Sequence, residues 1–153
     1  MAAQLIHVVR HAHAGDPAAW TQADALRPLS ERGCAQAERL VRHLGASPAA
    51  IYSSISVRCV ATVVPLALAH HLQVETLAEL YEGSAASRML ERVRAVARSP
   101  VVVCTHGDVL AGLLGLVLSA GVPLPSTRAE KCSTWTVEIT DGRLSSATYL
   151  PPP

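Results

Sequence analysis

Val101-Val102-Val103-Cys104-Thr105-His106-Gly107-Asp108 is the stretch on which the fold turns. Its first four residues leave no polar face, and a strand apolar on both sides belongs inside a covered parallel sheet. The run ends in polar residues and passes at once into Gly107–Ala120, a helix candidate. Working back, Ala85–Arg98 reads as a helix buried through Met89, Leu90 and Val93, and Gln73–Leu77 as a short strand. Val57, Ala61, Val64 and Leu68 mark one face of an earlier helix. Pro65 predicts a kink in it, because an interior proline costs about 3 kcal/mol. Ala50–Ser53 and Leu5–Val9 are the two remaining strands before it, separated by a helix that Ser30 caps and Gly45 ends. That helix repeats Ala37, Leu40, Val41 and Leu44 at the spacing of one buried face. Beyond the central stretch, Thr134–Thr140 and Arg143–Tyr149 are joined by Asp141-Gly142, a hairpin dipeptide. The pattern predicts an α/β fold: a three-layer α/β/α sandwich whose central sheet is mostly parallel, with an antiparallel hairpin at its C-terminal edge. Residues 1–150 are expected as a single domain and 151–153, three prolines, as a disordered tail.

Composition narrows the function. The 153 residues carry 13 Lys+Arg against 12 Asp+Glu, so a broad basic surface is absent and nucleic acid is not an expected partner. With no Phe, the core must be built from Val, Leu, Ile and Ala, and a chain of this length buries about 70% of its unfolded surface without crosslinks. Lys131 is the sole lysine and precedes Cys132 rather than Ser or Thr, which excludes a Walker-type phosphate loop. Its polar surroundings, Ser126 to Ser133, also argue against Schiff-base catalysis. Cys34, Cys59, Cys104 and Cys132 form no C-x-x-C pair, so no metal site or dithiol is predicted, and a reduced, cytoplasmic protein fits. Leu40, Pro65, Leu110 and Glu138 stand where a cysteine phosphatase needs arginine six residues on. The Met1–Arg10 segment lacks the apolar run of a signal peptide. Val109–Val122 is interrupted by three glycines and falls short of the ~20 residues that span a bilayer, so no membrane partner is expected.

Ligands of open parallel sheets bind beyond the carboxyl ends of the strands. Those ends here are Arg10-His11-Ala12-His13, then Ser53-Ser54 with Arg58, then Glu79 and Glu82, and finally Thr105-His106-Gly107-Asp108. Arginine forks match phosphate oxygens and offset their charge. A histidine whose Nδ1–H is held by a carbonyl presents an Nε2 lone pair and can attack phosphorus near neutral pH. A second histidine can donate to a non-bridging oxygen. A carboxylic acid can protonate the leaving oxygen and then, ionised, activate water. Phosphoryl transfer therefore needs no cofactor or metal here.

Leu5-Ile6-His7-Val8-Val9-Arg10-His11-Ala12 resembles the Arg-His-Gly signature of the histidine phosphatase superfamily, whose fold is shared with cofactor-dependent phosphoglycerate mutases. Arg27-Pro28-Leu29-Ser30-Glu31-Arg32-Gly33 with Gln36-Ala37 is similar to that family's helix start, Ser53–Arg58 with Thr62 to its second-arginine segment, and Cys104–Gly107 to its second-histidine segment. Together the segments cover roughly residues 5 to 120 in the family's order. The resemblance implies His11 as nucleophile, Arg10 and Arg58 as phosphate clamps, and His106 as a catalytic and phosphate-binding residue. It implies Glu82 as the acid and base, with Glu79 the alternative. His13, Glu79 and Gly107 are possible pocket residues. Ala12 stands in place of the usual glycine, as the short SixA-type branch often allows, and the mutases' Asn-containing segment is missing. These departures favour a small hydrolase, similar to SixA-type enzymes or to phosphatase domains attached to some Nudix hydrolases. The expected activity is metal-independent hydrolysis of a phosphomonoester or phosphohistidine through phospho-His11, on a phosphorylated small molecule or a phosphohistidine protein.

Two other classes compete. His11, His13, His106 and Asp108 have metal-ligating side chains and suit a metal-dependent hydrolase, although the strand-end His-x-His of amidohydrolases generally sits on a barrel of at least ~200 residues. A phosphate-binding module that has kept its arginines would bind without turnover. His7 reads as structural, His70-His71 as a helix end, and Arg39, Arg42, Arg88, Arg92, Arg94 and Arg98 as solvated helix faces.

Overall fold

The β-branched runs form strands β1 (Gln4–Arg10), β2 (Ala50–Ser53), β3 (Val74–Thr76), β4 (Val101–Thr105), β5 (Thr134–Thr140) and β6 (Arg143–Leu150). Between them lie helices α1 (Glu31–His43), α2 (Val57–Ala69), α3 (Ala86–Val96) and α4 (Gly107–Ser119). In this computed structural model, which describes residues 3–153, the strands make one sheet in the order β3-β2-β4-β1-β5-β6. The first two residues of the segment read as lacking a signal peptide lie outside the described residues. β4 is buried at all five positions and pairs in parallel with β1 on one side and β2 on the other, the central place its sequence requires. β5 runs antiparallel to β1, and β6 antiparallel to β5. Asp141 and Gly142 take φ values of 51° and 77°, the left-handed pair that a two-residue hairpin turn demands.

Each face of the sheet has its own core. One gathers Leu40 of α1, Val63 and Leu66 of α2, and Val9, Ile51 and Val102 of the sheet. The other gathers Met89 and Val93 of α3, Leu110 and Leu113 of α4, and Val8, Val103 and Trp135. Alternation along β1, with Val8 facing one core and Val9 the other, divides them.

Ser30 caps α1, its hydroxyl accepting from the Gly33 N–H, and the helix stops at His43 with Gly45 at φ 64° just beyond. Helix α2 runs unbroken through Pro65. Pro65 and Ala61 line a surface groove, so the carbonyl that loses its donor is not sealed inside the core. β3 and α3 are shorter at both ends than their apolar patterns suggest. No helix among the described residues is long and apolar enough to cross a membrane. Residues 151–153 add no helix or strand, and the Pro151 carbonyl accepts from His43 Nε2 at 2.7 Å.

Candidate active site

β1 and β4 are neighbours, so the residues that follow them emerge side by side at the carboxyl edge. His11 and His106 lie there with ring centroids 5.7 Å apart and planes at 65°. His11 is 5% exposed, His106 1% and Arg58 1%, a set of polar groups that burial tolerates only when they are hydrogen-bonded or reserved for a ligand.

His11 Nδ1 lies 2.9 Å from the Ala12 carbonyl oxygen. A carbonyl only accepts, so Nδ1 carries the proton and Nε2 keeps its lone pair. Burial pushes the His11 pKa down to about 3, helped by the positive charge of Arg58, His106 and Arg10 and opposed by the Ala12 carbonyl. The ring is therefore neutral at physiological pH. Thr62 of α2 fixes its loop: Thr62 Oγ1 accepts from the Ala12 N–H at 2.9 Å and donates to the Arg58 carbonyl at 2.7 Å.

Arg58 opens α2 and points back at the histidines, with Nη2 3.4 Å from His106 Nδ1. Arg10 ends β1 and donates from Nη1 to the Ala129 carbonyl at 2.7 Å. The Nε–H of both arginines is buried without a partner, and these two donors are the ones a phosphate oxygen would satisfy. A Cβ on Gly107 would stand 2.9 Å from the Arg10 guanidinium carbon, so the glycine makes room for the fork above the start of α4. His106 Nε2 meets Ser54 Oγ at 2.8 Å. A guanidinium only donates, so His106 Nδ1 accepts from Arg58 Nη2, and the ring's proton sits on Nε2, which donates to Ser54 Oγ.

The two acid candidates part company. Glu82 Oε1 lies 3.8 Å from Arg58 Nη2, with half of its side chain exposed. Glu79 turns to α3 and pairs with Arg92 Nε at 3.6 Å, so Glu82 and not Glu79 stands at the cluster. Asp108 holds the same loop, its Oδ2 accepting from the Gly83 N–H at 2.7 Å. His13 is committed elsewhere, its Nδ1 2.6 Å from Ser30 Oγ. The metal-ligand set of His11, His13, His106 and Asp108 is therefore not assembled. Among the described residues no group of three or more His, Cys, Asp or Glu is placed to hold a metal ion.

Asp24 escapes a reading of the sequence. It sits in a short turn, Asp24–Leu26, in the loop before α1, and accepts from Arg58 Nη2 through Oδ2 at 3.0 Å and from Arg27 Nε through Oδ1 at 3.1 Å. Its carbonyl also takes Arg58 Nη1 at 2.9 Å. Only the Asp-x-x-Arg spacing with Arg27 hints at this, since a loop has no periodicity to mark a conserved direction for its side chains. Tyr81, ring centroid 5.8 Å from His106, likewise joins the site from an irregular segment.

Residues 6–86 match the family model of the histidine phosphatase superfamily, branch 1. A relative from Mycolicibacterium smegmatis, named 8-oxo-(d)GTP phosphatase, is 38% identical over an alignment 155 residues long that covers 95% of this chain and 48% of that protein. The chain thus spans about half the length of that curated relative. Among solved structures, a protein histidine phosphatase SixA complexed with tungstate superposes with a TM-score of 0.77 at 17% identity, covering 97% of both chains. The mycobacterial glucosyl-3-phosphoglycerate phosphatase in complex with VO3 gives a TM-score of 0.72 at 18% identity over 95% of this chain and 97% of its own.

Proposed function

The chain belongs to branch 1 of the histidine phosphatase superfamily, and from that premise we propose that it is a phosphatase working through a covalent phospho-His11 intermediate without a metal. The observation that carries this reading is the His11 ring, held neutral with a free Nε2 beside buried Arg58 and half-buried Arg10, each of which keeps a buried, unpartnered Nε–H. Nε2 attacks phosphorus and the bond to the leaving group breaks, P–O in a phosphomonoester or P–N in a phosphohistidine, its electron pair going to the leaving oxygen or nitrogen. Glu82 supplies the proton to that atom. Arg10 and Arg58 offset the charge on the non-bridging oxygens, with the His106 ring beside Arg58 as a further polar contact. Water then attacks the phosphohistidine with Glu82 as base, releasing inorganic phosphate and restoring Nε2.

The substrate is a phosphomonoester or a phosphohistidine, on a small molecule or a protein, and four free thiols suit a reduced cytoplasmic setting. The name of the Mycolicibacterium smegmatis relative adds an oxidised purine nucleotide to that class. His11→Ala should reduce hydrolysis of phenyl phosphate to background while the folded circular dichroism spectrum persists. Acid quenching during wild-type turnover should trap an acid-labile, base-stable phosphoprotein that the variant lacks. Turnover surviving in His11→Ala would remove His11 from the reaction, and activity lost to EDTA and restored by a divalent ion would remove the metal-free route.

A further inference from the structure

A cleft of about 420 Å³ includes His13, two residues beyond His11, and is lined further by Arg32, Gln36, Arg39, Glu130, Lys131 and two of the terminal prolines. Three basic side chains share the lining with one carboxylate, and Glu130 is already engaged by the Tyr149 hydroxyl. Among the described residues Arg32, Arg39 and Lys131 have no ion-pair partner within 4.0 Å, whereas Arg27, Arg58 and Arg92 do. Surface arginines are often unpaired, but Lys131 is half-buried and is the chain's only lysine.

Its position is built. The Cys132 N–H donates to the carbonyls of both Arg10 and His11, at 3.0 and 3.1 Å, so Lys131 leaves the backbone one residue from the tie that holds the nucleophile's strand end. Cys132 takes φ 65°, a left-handed conformation costly for a residue with a Cβ and retained where a loop's direction is fixed by its surroundings. Burial lowers the Lys131 pKa, and so does repulsion from Arg10, Arg27, Arg58 and Arg32, of which Arg10 and Arg58 are the two phosphate clamps of the proposed reaction. His13, also in the lining, is held in place by its N–H on Gln36 Oε1 at 2.9 Å and its Nδ1 on Ser30 Oγ at 2.6 Å. Two arginines already offset one phosphate dianion, so further cations beside them are in excess of what a single phosphate requires.

We propose that Lys131 and Arg32, with His13 and Arg39 behind them, form a second anion subsite that binds a phosphate or carboxylate carried on the leaving group. This rests on the phosphatase reading and narrows it to substrates with two anionic groups separated by a short linker. A matched set tests it: propyl phosphate, propane-1,3-diol bisphosphate and 3-phosphooxypropionate. The wild type should show kcat/KM about tenfold higher on the bisphosphate than on propyl phosphate, equivalent to about 1.4 kcal/mol. Lys131→Met and, independently, the exposed Arg32→Gln should each lower kcat/KM on the bisphosphate at least fivefold more than on propyl phosphate. A matching gain with the carboxylate analogue assigns the subsite to anions in general, and a gain with the bisphosphate alone assigns it to phosphate. Equal losses on propyl phosphate and on the bisphosphate in both variants, or no loss at all, would overturn it. Calorimetric binding of the bisphosphate to His11→Ala separates this from the reaction itself. Weaker binding after Lys131→Met is added supports the subsite even if no substrate turns over, while unchanged binding removes it.

Discussion

The neutrality of His11 has a thermodynamic signature. Its pKa is about 3 in the folded chain against the ordinary 6.5, so between those values the unfolded chain binds one more proton than the native one. Stability then rises with pH across that window and falls as the medium is acidified from 6.5 toward 3, by up to about 1.4 kcal/mol per pH unit from this ring alone. Urea titrations from pH 7 to 4 should give a shallower acid limb for His11→Gln than for the wild type, the two curves converging at pH 7 apart from a constant offset. Parallel curves would mean that His11 takes up a proton in the folded state. His11, Arg10, Arg58 and His106 were legible in the sequence because each follows or opens a regular element, which fixes where its side chain emerges. Asp24 was not, because its contact with Arg58 closes across 34 residues through an irregular loop. The choice between Glu79 and Glu82 was equally hidden. Both sit at the same step after β3, and only the pull of Arg92 on one and Arg58 on the other separates them.

Among the elements, α1 and α4 show how close packing sets the site, and two glycines measure it. A Cβ on Gly33 would stand 1.9 Å from the His13 carbonyl oxygen, the same oxygen that accepts from the Ser30 N–H. The first turn of α1 is thus pressed onto the loop that leaves His11, and Gly33→Ala must push one from the other. It should cost about 1–3 kcal/mol in urea unfolding and lower phosphatase activity through displacement of the loop. Gly115, on the exposed face of α4, has nothing within 4 Å of the same position. There alanine should add up to about 1 kcal/mol by helix propensity and leave kcat/KM unchanged. A stable, fully active Gly33→Ala protein would dissociate the start of α1 from the catalytic loop. The helices themselves were readable from their spacing, and their ends drifted where the deciding contact is tertiary. β3, for instance, keeps only the three residues that find partners in β2.

At the scale of the whole molecule, the insertion of β4 between β2 and β1 creates the site, because it brings His106 beside His11. Hydrophobic pattern gave β4 its central place but not its neighbours, since strand order depends on which way each helix crosses the sheet. The antiparallel edge has a part in the site as well. Trp135 of β5 is fully buried in the core beneath α4, and its indole N–H donates to the Arg128 carbonyl at 2.8 Å. The next residue, Ala129, accepts from Arg10 Nη1, so a chain of two hydrogen bonds runs from the sheet core to Arg10, the phosphate clamp of the proposed reaction. Trp135→Phe keeps most of the apolar burial and deletes the donor. It should cost about 1–3 kcal/mol, from the lost bond and the incompletely filled volume, and should raise KM for an aryl phosphate several-fold with a smaller change in kcat. Trp135→Ala, by contrast, should cost about 3–5 kcal/mol from the cavity it leaves. A Phe variant that loses stability but keeps the wild-type KM would confine Trp135 to the core, because the Arg10 fork would then hold its place without the loop that Trp135 anchors.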